Sequence, residues 1–254
     1  MASLALRCAA VTAAGASVLA FGLAAWAMQP APETTSKAAV FNLIAEDARV
    51  PKGSDSWPER PFVRWETAMH IKVLPWAGHK TEAEAVTTRV LVPLLAEIAA
   101  MDLPGFHGAK IEPAESQSNV ILLIGDDLDL LLKELPNQED PVWSRLAARM
   151  LELYGPDHAL RCGRVVAKAG PRIVAGLIYI STRPIADDPR VCAGAAFADV
   201  IGLRGAASAE SSVKASRDTG HWRPLDRDAL RVLYGTTALT YRRVDEAVDA
   251  FFRN

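Results

Sequence analysis

The chain has 254 residues, with 28 basic against 30 acidic side chains and a formal net charge of −2, which is enough length for one substantial domain with its own core. The near balance of charge and the lack of any basic tract exclude an electrostatic nucleic-acid binder. One apolar run lies at the N-terminus, and no second one is long enough to span a bilayer.

That run extends from Cys8 to Ala27 behind the single charge of Arg7, and Ala25-Trp26-Ala27 stands in front of Met28. The order charge, apolar core, small-x-small site predicts a signal peptide over residues 1–27, cleaved after Ala27, and hence a periplasmic or secreted domain. The core is also close to a short membrane span, so the alternative is an inner-membrane anchor formed by residues 8–27. Arg7 before Cys8 is unlike the small residue that precedes a lipidated cysteine. Residues 28–38, including the polar stretch Gln29 to Lys37, read as a flexible linker, and residues 39–254 as a single domain. Only Cys162 and Cys192 remain in that domain, and an oxidising compartment predicts that they pair. The alternative is two buried thiols.

In chain order, Phe41 to Ile44 reads as a first strand, and the alternation of Met69, Ile71 and Val73 with His70 and Lys72 as a half-buried one. Thr81 and Glu84 have capping-box spacing for a helix that carries Leu91, Leu94, Leu95 and Ile98 on one side, runs to about Met101 and is kinked by Pro93. A short strand near Lys110 to Glu112 follows, then Val120 to Ile124, whose unbroken hydrophobicity suits a strand covered on both faces. A helical pair comes next. Asp126 starts the first helix, with Leu128, Leu131, Leu132 and Leu135 inward. Asp140-Pro141 starts the second, with Trp143, Leu146, Ala147, Met150, Leu151 and Tyr154 inward. Strands Arg164 to Ala167 and Ile173 to Ile180 are joined by Gly170-Pro171, and Asp188-Pro189 opens a further helix. In the tail, Leu225 can staple to Leu230 and Gly235 can end that helix, while Val244, Ala247, Val248 and Phe251 line a final one.

With the helical pair set aside as an insertion, this is the element order of the N-terminal half of a zincin, in which the last helix carries the metal site beneath the edge strand. The expected fold class is therefore α/β (α+β), a zincin-like mixed sheet with a long helix, a site-like helix after the last strand and C-terminal helices. The site-like helix lies in VCAGAAFADVIGLRG, Val191 to Gly205. In HExxHxxG two histidines one turn apart meet a zinc and the glutamate between them polarises its water, while the glycine turns the chain towards a third ligand. Aligning that glycine with Gly202 puts Ala195 and Asp199 at the histidine positions, Ala196 at the glutamate and Gly205 at the third ligand. One carboxylate cannot hold catalytic zinc, and alanine cannot act as the base. A second account of the same helix is a small-residue face packed against a sheet.

Several stretches together resemble a bacterial exported family of unknown function, DUF 2927. They are Cys192 ten residues before Gly202-Leu203, the earlier Cys162, AGLIYIS between the cysteines, VRW at Val63 to Trp65, SNVILLI at Ser118 to Ile124, and LDRDALRVLYG at Leu225 to Gly235. The likeness spans Phe41 to Ala247. In that family the helix reads Glu-Glu-x-x-Gln before Gly-Leu, and Ala195-Ala196 and Asp199 depart from this pattern as well. The resemblance implies a zincin-like fold and no known reaction.

No other pattern carries chemistry. His70, His79, His107, His158 and His221 are dispersed, with no two in an i, i+4 helical pair. Asp126-Asp127-x-Asp129 and Asp187-Asp188 read as helix starts rather than calcium ligands, and Ser181, Ser211 and Ser212 lack a nearby histidine or a nucleophile turn. Gly205 to Trp222 is polar, expected to be mobile, and the best candidate binding surface. The sequence thus predicts an exported envelope domain with no catalytic residue, metal or cofactor, serving as a binding or structural module. Its partner would be an envelope protein or peptide, with no nucleic acid, and with membrane contact only through an uncleaved N-terminal segment. The rival expectation is a hydrolase or peptidase that uses cleft residues outside the degenerate helix.

Overall fold

The computed structural model describes residues 35–45, 58–113, 116–135, 139–154, 162–183, 189–205, 212–214 and 220–253. The expected signal peptide and all but the last residues of the expected linker lie outside this set. Among the described residues no helix is long and apolar enough to cross a membrane.

The chain enters as a helix, α1 (Lys37–Ile44), where a strand was expected. Ser36 caps it by accepting a hydrogen bond from the Ala39 amide at 3.2 Å, so helix begins inside the stretch expected to be linker. Ala38, Val40, Phe41, Leu43 and Ile44 are all buried, and burial on more than one side removes the periodicity by which an amphipathic helix is recognised. Lys37 reaches Asp249 at 3.2 Å, tying α1 to the final helix.

Next come β1 (Arg64–Trp65), too short to be anticipated, and β2 (Met69–Pro75). Met69 and Ile71 are buried as expected; Lys72, expected to face outward, is buried too. The following helix is one run in three parts: α2 (Lys80–Val86), a π-helical turn (Thr87–Leu91) and α3 (Val92–Ala100). It starts one residue before Thr81, with His79 at the cap and no side-chain cap bond, so the Thr81–Glu84 capping box does not form. The π turn ends two residues before Pro93, which has no amide to donate, and takes up the irregularity expected as a kink.

Strands β3 (Ala109–Ile111) and β4 (Val120–Gly125) follow, then α4 (Leu128–Lys133) and α5 (Pro141–Tyr154). Asp127 caps α4 through the Leu130 amide at 3.0 Å, rather than Asp126, and Leu151 on α5 is exposed rather than inward. Strands β5 (Cys162–Ala169) and β6 (Arg172–Ser181) form a hairpin across Gly170, whose φ of 62° suits glycine. Helices α6 (Pro189–Ile201), α7 (Pro224–Tyr234), α8 (Thr236–Thr240) and α9 (Val244–Phe251) complete the chain.

The sheet is mixed, with neighbours in the order β1-β6-β4-β2-β3; β5 pairs with β6 antiparallel while the other pairings are parallel. β5 runs along one side of β6, which leaves the other side for β1 at the start of β6 and β4 beyond it. Alternation along β4 splits the core in two. Val120, Leu122 and Ile124 join a large cluster with α1, α2, α3, α6, α7 and α9, while Ile121 and Leu123 join Leu131, Leu132, Trp143, Leu146 and Met150 from α4 and α5. The helical pair read as an insertion is therefore the layer that covers the second face.

Candidate functional site

Helix α6 packs beneath β5 and β6. Close approach is allowed by Gly176 of β6, where an added Cβ would lie 2.8 Å from Val200 Cγ1. At its N-terminal end Cys192 is disulfide-bonded to Cys162 of β5, with the Cα atoms 5.7 Å apart. Its C-terminal end is a Schellman turn: the Leu203 amide donates to Ala198 O at 2.9 Å, the Gly202 amide donates to Asp199 O at 3.2 Å, and Gly202 has φ 117°. Two side chains from far along the chain secure this turn. Trp65 Nε1 donates to Val200 O at 2.8 Å, and the buried Tyr234 hydroxyl donates to Ile201 O at 2.5 Å while accepting from the Trp65 amide at 3.2 Å. Burial pushes the Tyr234 hydroxyl pKa well above the ordinary tyrosine value. The stretches VRW, AGLIYIS, Gly202-Leu203 and LYG thus converge on one helix end, and each has a structural task there.

Of the positions that the Gly202 register aligns with zinc-site residues, Ala196 is buried and Ala195 partly so. Asp199 is buried, and both its oxygens are engaged: Lys214 Nζ reaches Oδ1 at 2.6 Å and Arg164 Nε of β5 reaches Oδ2. The Lys214 ammonium also donates to Leu203 O at 2.9 Å and Gly205 O at 2.6 Å. Burial holds the Lys214 pKa below the usual lysine value, against the opposing pull of Asp199. Gly205 donates its amide to Leu43 O of α1 at 2.8 Å, and a Cβ there would fall 1.8 Å from Asn42 O. These residues do not fit a zinc ion. The one carboxylate is already neutralised by two cations, and the third-ligand position has no room for a side chain.

The backbone that leads into Lys214 is held by Asp226, the third residue of α7. Asp226 Oδ1 accepts from the Ser212 hydroxyl at 2.5 Å, and Oδ2 accepts from the Val213 amide at 2.7 Å and from the Arg223 amide at 2.9 Å. Asp226 is fully buried, and desolvation raises its pKa, partly offset by the Ser212 bond. The stretch Gly205 to Trp222, expected to be mobile, is anchored where it is described: Ser212, Val213 and Trp222 are buried, and Trp222 Nε1 donates to Leu94 O at 2.8 Å. Ser212 is spent on Asp226 and is closed to solvent. Residues 206–211 and 215–219, Ser211 among them, lie outside the described residues.

The remaining candidates stand apart from α6. His70 pairs with Glu112 at 2.6 Å, and Lys110 shares that carboxylate at 2.8 Å. His221 pairs with Glu97 at 2.5 Å beside Arg227 at 2.9 Å. His79, after β2, lies where β4 and β6 end: Thr182 Oγ1 is 3.4 Å and Asp126 Oδ1 3.8 Å from Nε2, and Glu82 Oε2 is 3.9 Å from Nδ1. Ser181 is buried, and its hydroxyl accepts from the Arg183 amide at 3.4 Å. His158, Asp187 and Asp188 lie outside the described residues. Among the described residues no three His, Cys, Asp or Glu side chains are grouped to hold a metal ion.

Nothing in the sequence marks Lys214 or Arg164 as site residues. Only Asp226 left a trace there, as an acid in the first turn after Pro224. Fold and site define a mixed α/β domain in which helix α6 carries a buried carboxylate paired with two cations. No family model, no curated protein and no solved structure matches the chain.

Proposed function

We propose that this is an exported bacterial envelope domain of zincin-like descent, akin to DUF 2927, that has lost its metal site and acts by binding. The observation that carries this reading is the state of Asp199: the one ligand-type side chain left on α6 is consumed by Lys214 and Arg164. A helix secured by a disulfide, a Schellman turn and two long-range caps, and buried at Ala193 and from Ala196 to Ile201, suits a fixed support beneath β5 rather than a reactive centre. Among the described residues no strand pairs with the outer side of β5, and its backbone groups suit an extended peptide from an envelope protein. The export reading draws on the N-terminal apolar segment and on the Cys162–Cys192 pair.

The test is a photo-crosslinking residue at Ala169 on β5, with one at Leu239 on α8 as control, in protein expressed in its native host. A discrete adduct from Ala169 alone, in protein that begins at Met28 and holds no stoichiometric zinc, supports the reading. Equal adducts from both positions, or zinc that is lost on Asp199→Ala, would overturn it.

One observation favours the hydrolase alternative. Around His79, a hydroxyl faces Nε2 and a carboxylate faces Nδ1 at the carboxyl ends of parallel strands. The separations of 3.4 Å at Nε2 and 3.9 Å at Nδ1 exceed those of a formed triad, so this reading ranks second. Labelling of Thr182 by a fluorophosphonate, abolished by His79→Ala, would reverse the ranking.

A further inference from the structure

Three oxygens converge on one nitrogen at the C-terminal end of α6. Lys214 Nζ lies 2.6 Å from Asp199 Oδ1, 2.6 Å from Gly205 O and 2.9 Å from Leu203 O. A primary ammonium has three N–H donors, so every one is used. Two of the three acceptors, the Asp199 carboxylate and the Gly205 carbonyl, belong to residues that the Gly202 register places at the second and third ligand positions. We propose that Lys214 is a tethered replacement for the site cation, and that the same three oxygens form a binding site for a free primary alkylammonium ion once the lysine side chain is cut back.

The acceptors do not depend on the lysine for their placement. Leu203 is set by the Schellman turn, and Gly205 by its own bond to Leu43 O. Asp199 sits on the helix and is also held by Arg164. The backbone at Lys214 is fixed separately, since Ser212 and Val213 are bound to Asp226. Truncation at Lys214 should therefore leave a cation-shaped vacancy rather than a collapsed loop. Two carbonyls and one carboxylate are oxygen acceptors suited to N–H donors, and they lack the nitrogen and sulfur ligands that zinc prefers. A quaternary ammonium, which has no N–H, cannot use them.

The proposal rests on the lost-metal reading of α6. Its test is thermal unfolding of Lys214→Ala titrated with propylammonium chloride at constant ionic strength. A saturable rise of several degrees is expected in Lys214→Ala, and none in wild type, in Lys214→Ala combined with Asp199→Asn, or with tetramethylammonium. No rise, or an equal rise with tetramethylammonium or in wild type, overturns it. If Lys214→Ala does not fold, amine acetylation of the native wild-type protein decides: Lys214 should lag well behind Lys80 and Lys110 and become reactive in Asp199→Asn. Equal reactivity in wild type overturns the proposal. Failure of rescue in Lys214→Ala, with wild type free of zinc, removes the stand-in but leaves the lost-metal reading, whereas stoichiometric zinc in wild type removes both.

Discussion

Gly205 and Gly78 show how differently two glycines can be constrained. A Cβ at Gly205 would meet Asn42 O at 1.8 Å and Ala45 O at 2.8 Å, both backbone atoms that cannot swing aside. At Gly78 the φ of 93° disfavours other residues, but nothing lies within 4 Å of an added Cβ. Gly78→Ala should cost about 1–2 kcal/mol, as a left-handed backbone does. Gly205→Ala should cost over about 4 kcal/mol, an exceptional loss that overpacking against immovable backbone can reach. Denaturant titration of the two variants checks the contrast; near-equal losses would mean that α1 yields to Gly205. Asp226 makes a prediction in pH. Its folded pKa is raised by burial above the unfolded value, so its contribution to stability is complete below the unfolded pKa and is lost as pH rises through the folded one. Asp226→Asn keeps an oxygen for the Val213 and Arg223 amides and offers an N–H to Ser212. It should therefore gain on wild type in thermal stability as pH rises from about 3 towards 7. A difference independent of pH would show that Asp226 is ionised at no net cost.

At the scale of elements, α6 is fastened at both ends, and each fastening can be removed alone. Tyr234→Phe leaves Ile201 O and the Trp65 amide without the partner they now share, so it should destabilise by about 2–4 kcal/mol, the desolvation cost of two buried polar groups. Chemical denaturation measures this, and a loss below about 0.5 kcal/mol would show that water replaces the hydroxyl. Replacing Cys162 and Cys192 together by serine opens the loop of 30 residues between them and should cost about 3 kcal/mol through the unfolded chain. Thiol labelling of the denatured, unreduced wild type should find neither cysteine. The elements most legible in the sequence were those with one dominant contact surface or none free. Val120 to Ile124 read as a doubly covered strand, and Trp143, Leu146 and Met150 gave the period of α5. Phe41 to Ile44 misled because a helix buried on several sides has no period to read. The site was half legible for a different reason. Asp199 and Gly202 stand in register along one helix, but the cations on Asp199 come from Arg164 on β5 and from Lys214, 15 residues downstream, and no sequence pattern links either to Asp199.

At the scale of the whole molecule, the layers depend on a strand that comes late. β6 pairs with β5, with β4 and with β1, and the register joins Arg64 to Arg172. Until β6 is present, β4 has a neighbour on one side only and β1 has none. A chain that ends at Ala169 should therefore be protease-sensitive and lack a cooperative unfolding transition, whereas one that includes Ser181 and the following helices should have one; a cooperative melt of the shorter chain would show that β2, β3 and β4 close a core unaided. Most of these strand pairings are non-local, so the barrier to folding is set by loop closure more than by local helix formation. For a polypeptide that emerges N-terminus first, from a ribosome or through a translocation pore, this makes folding a terminal event. β1 to β4 must wait for the strand that completes them, with their apolar residues uncovered until it arrives.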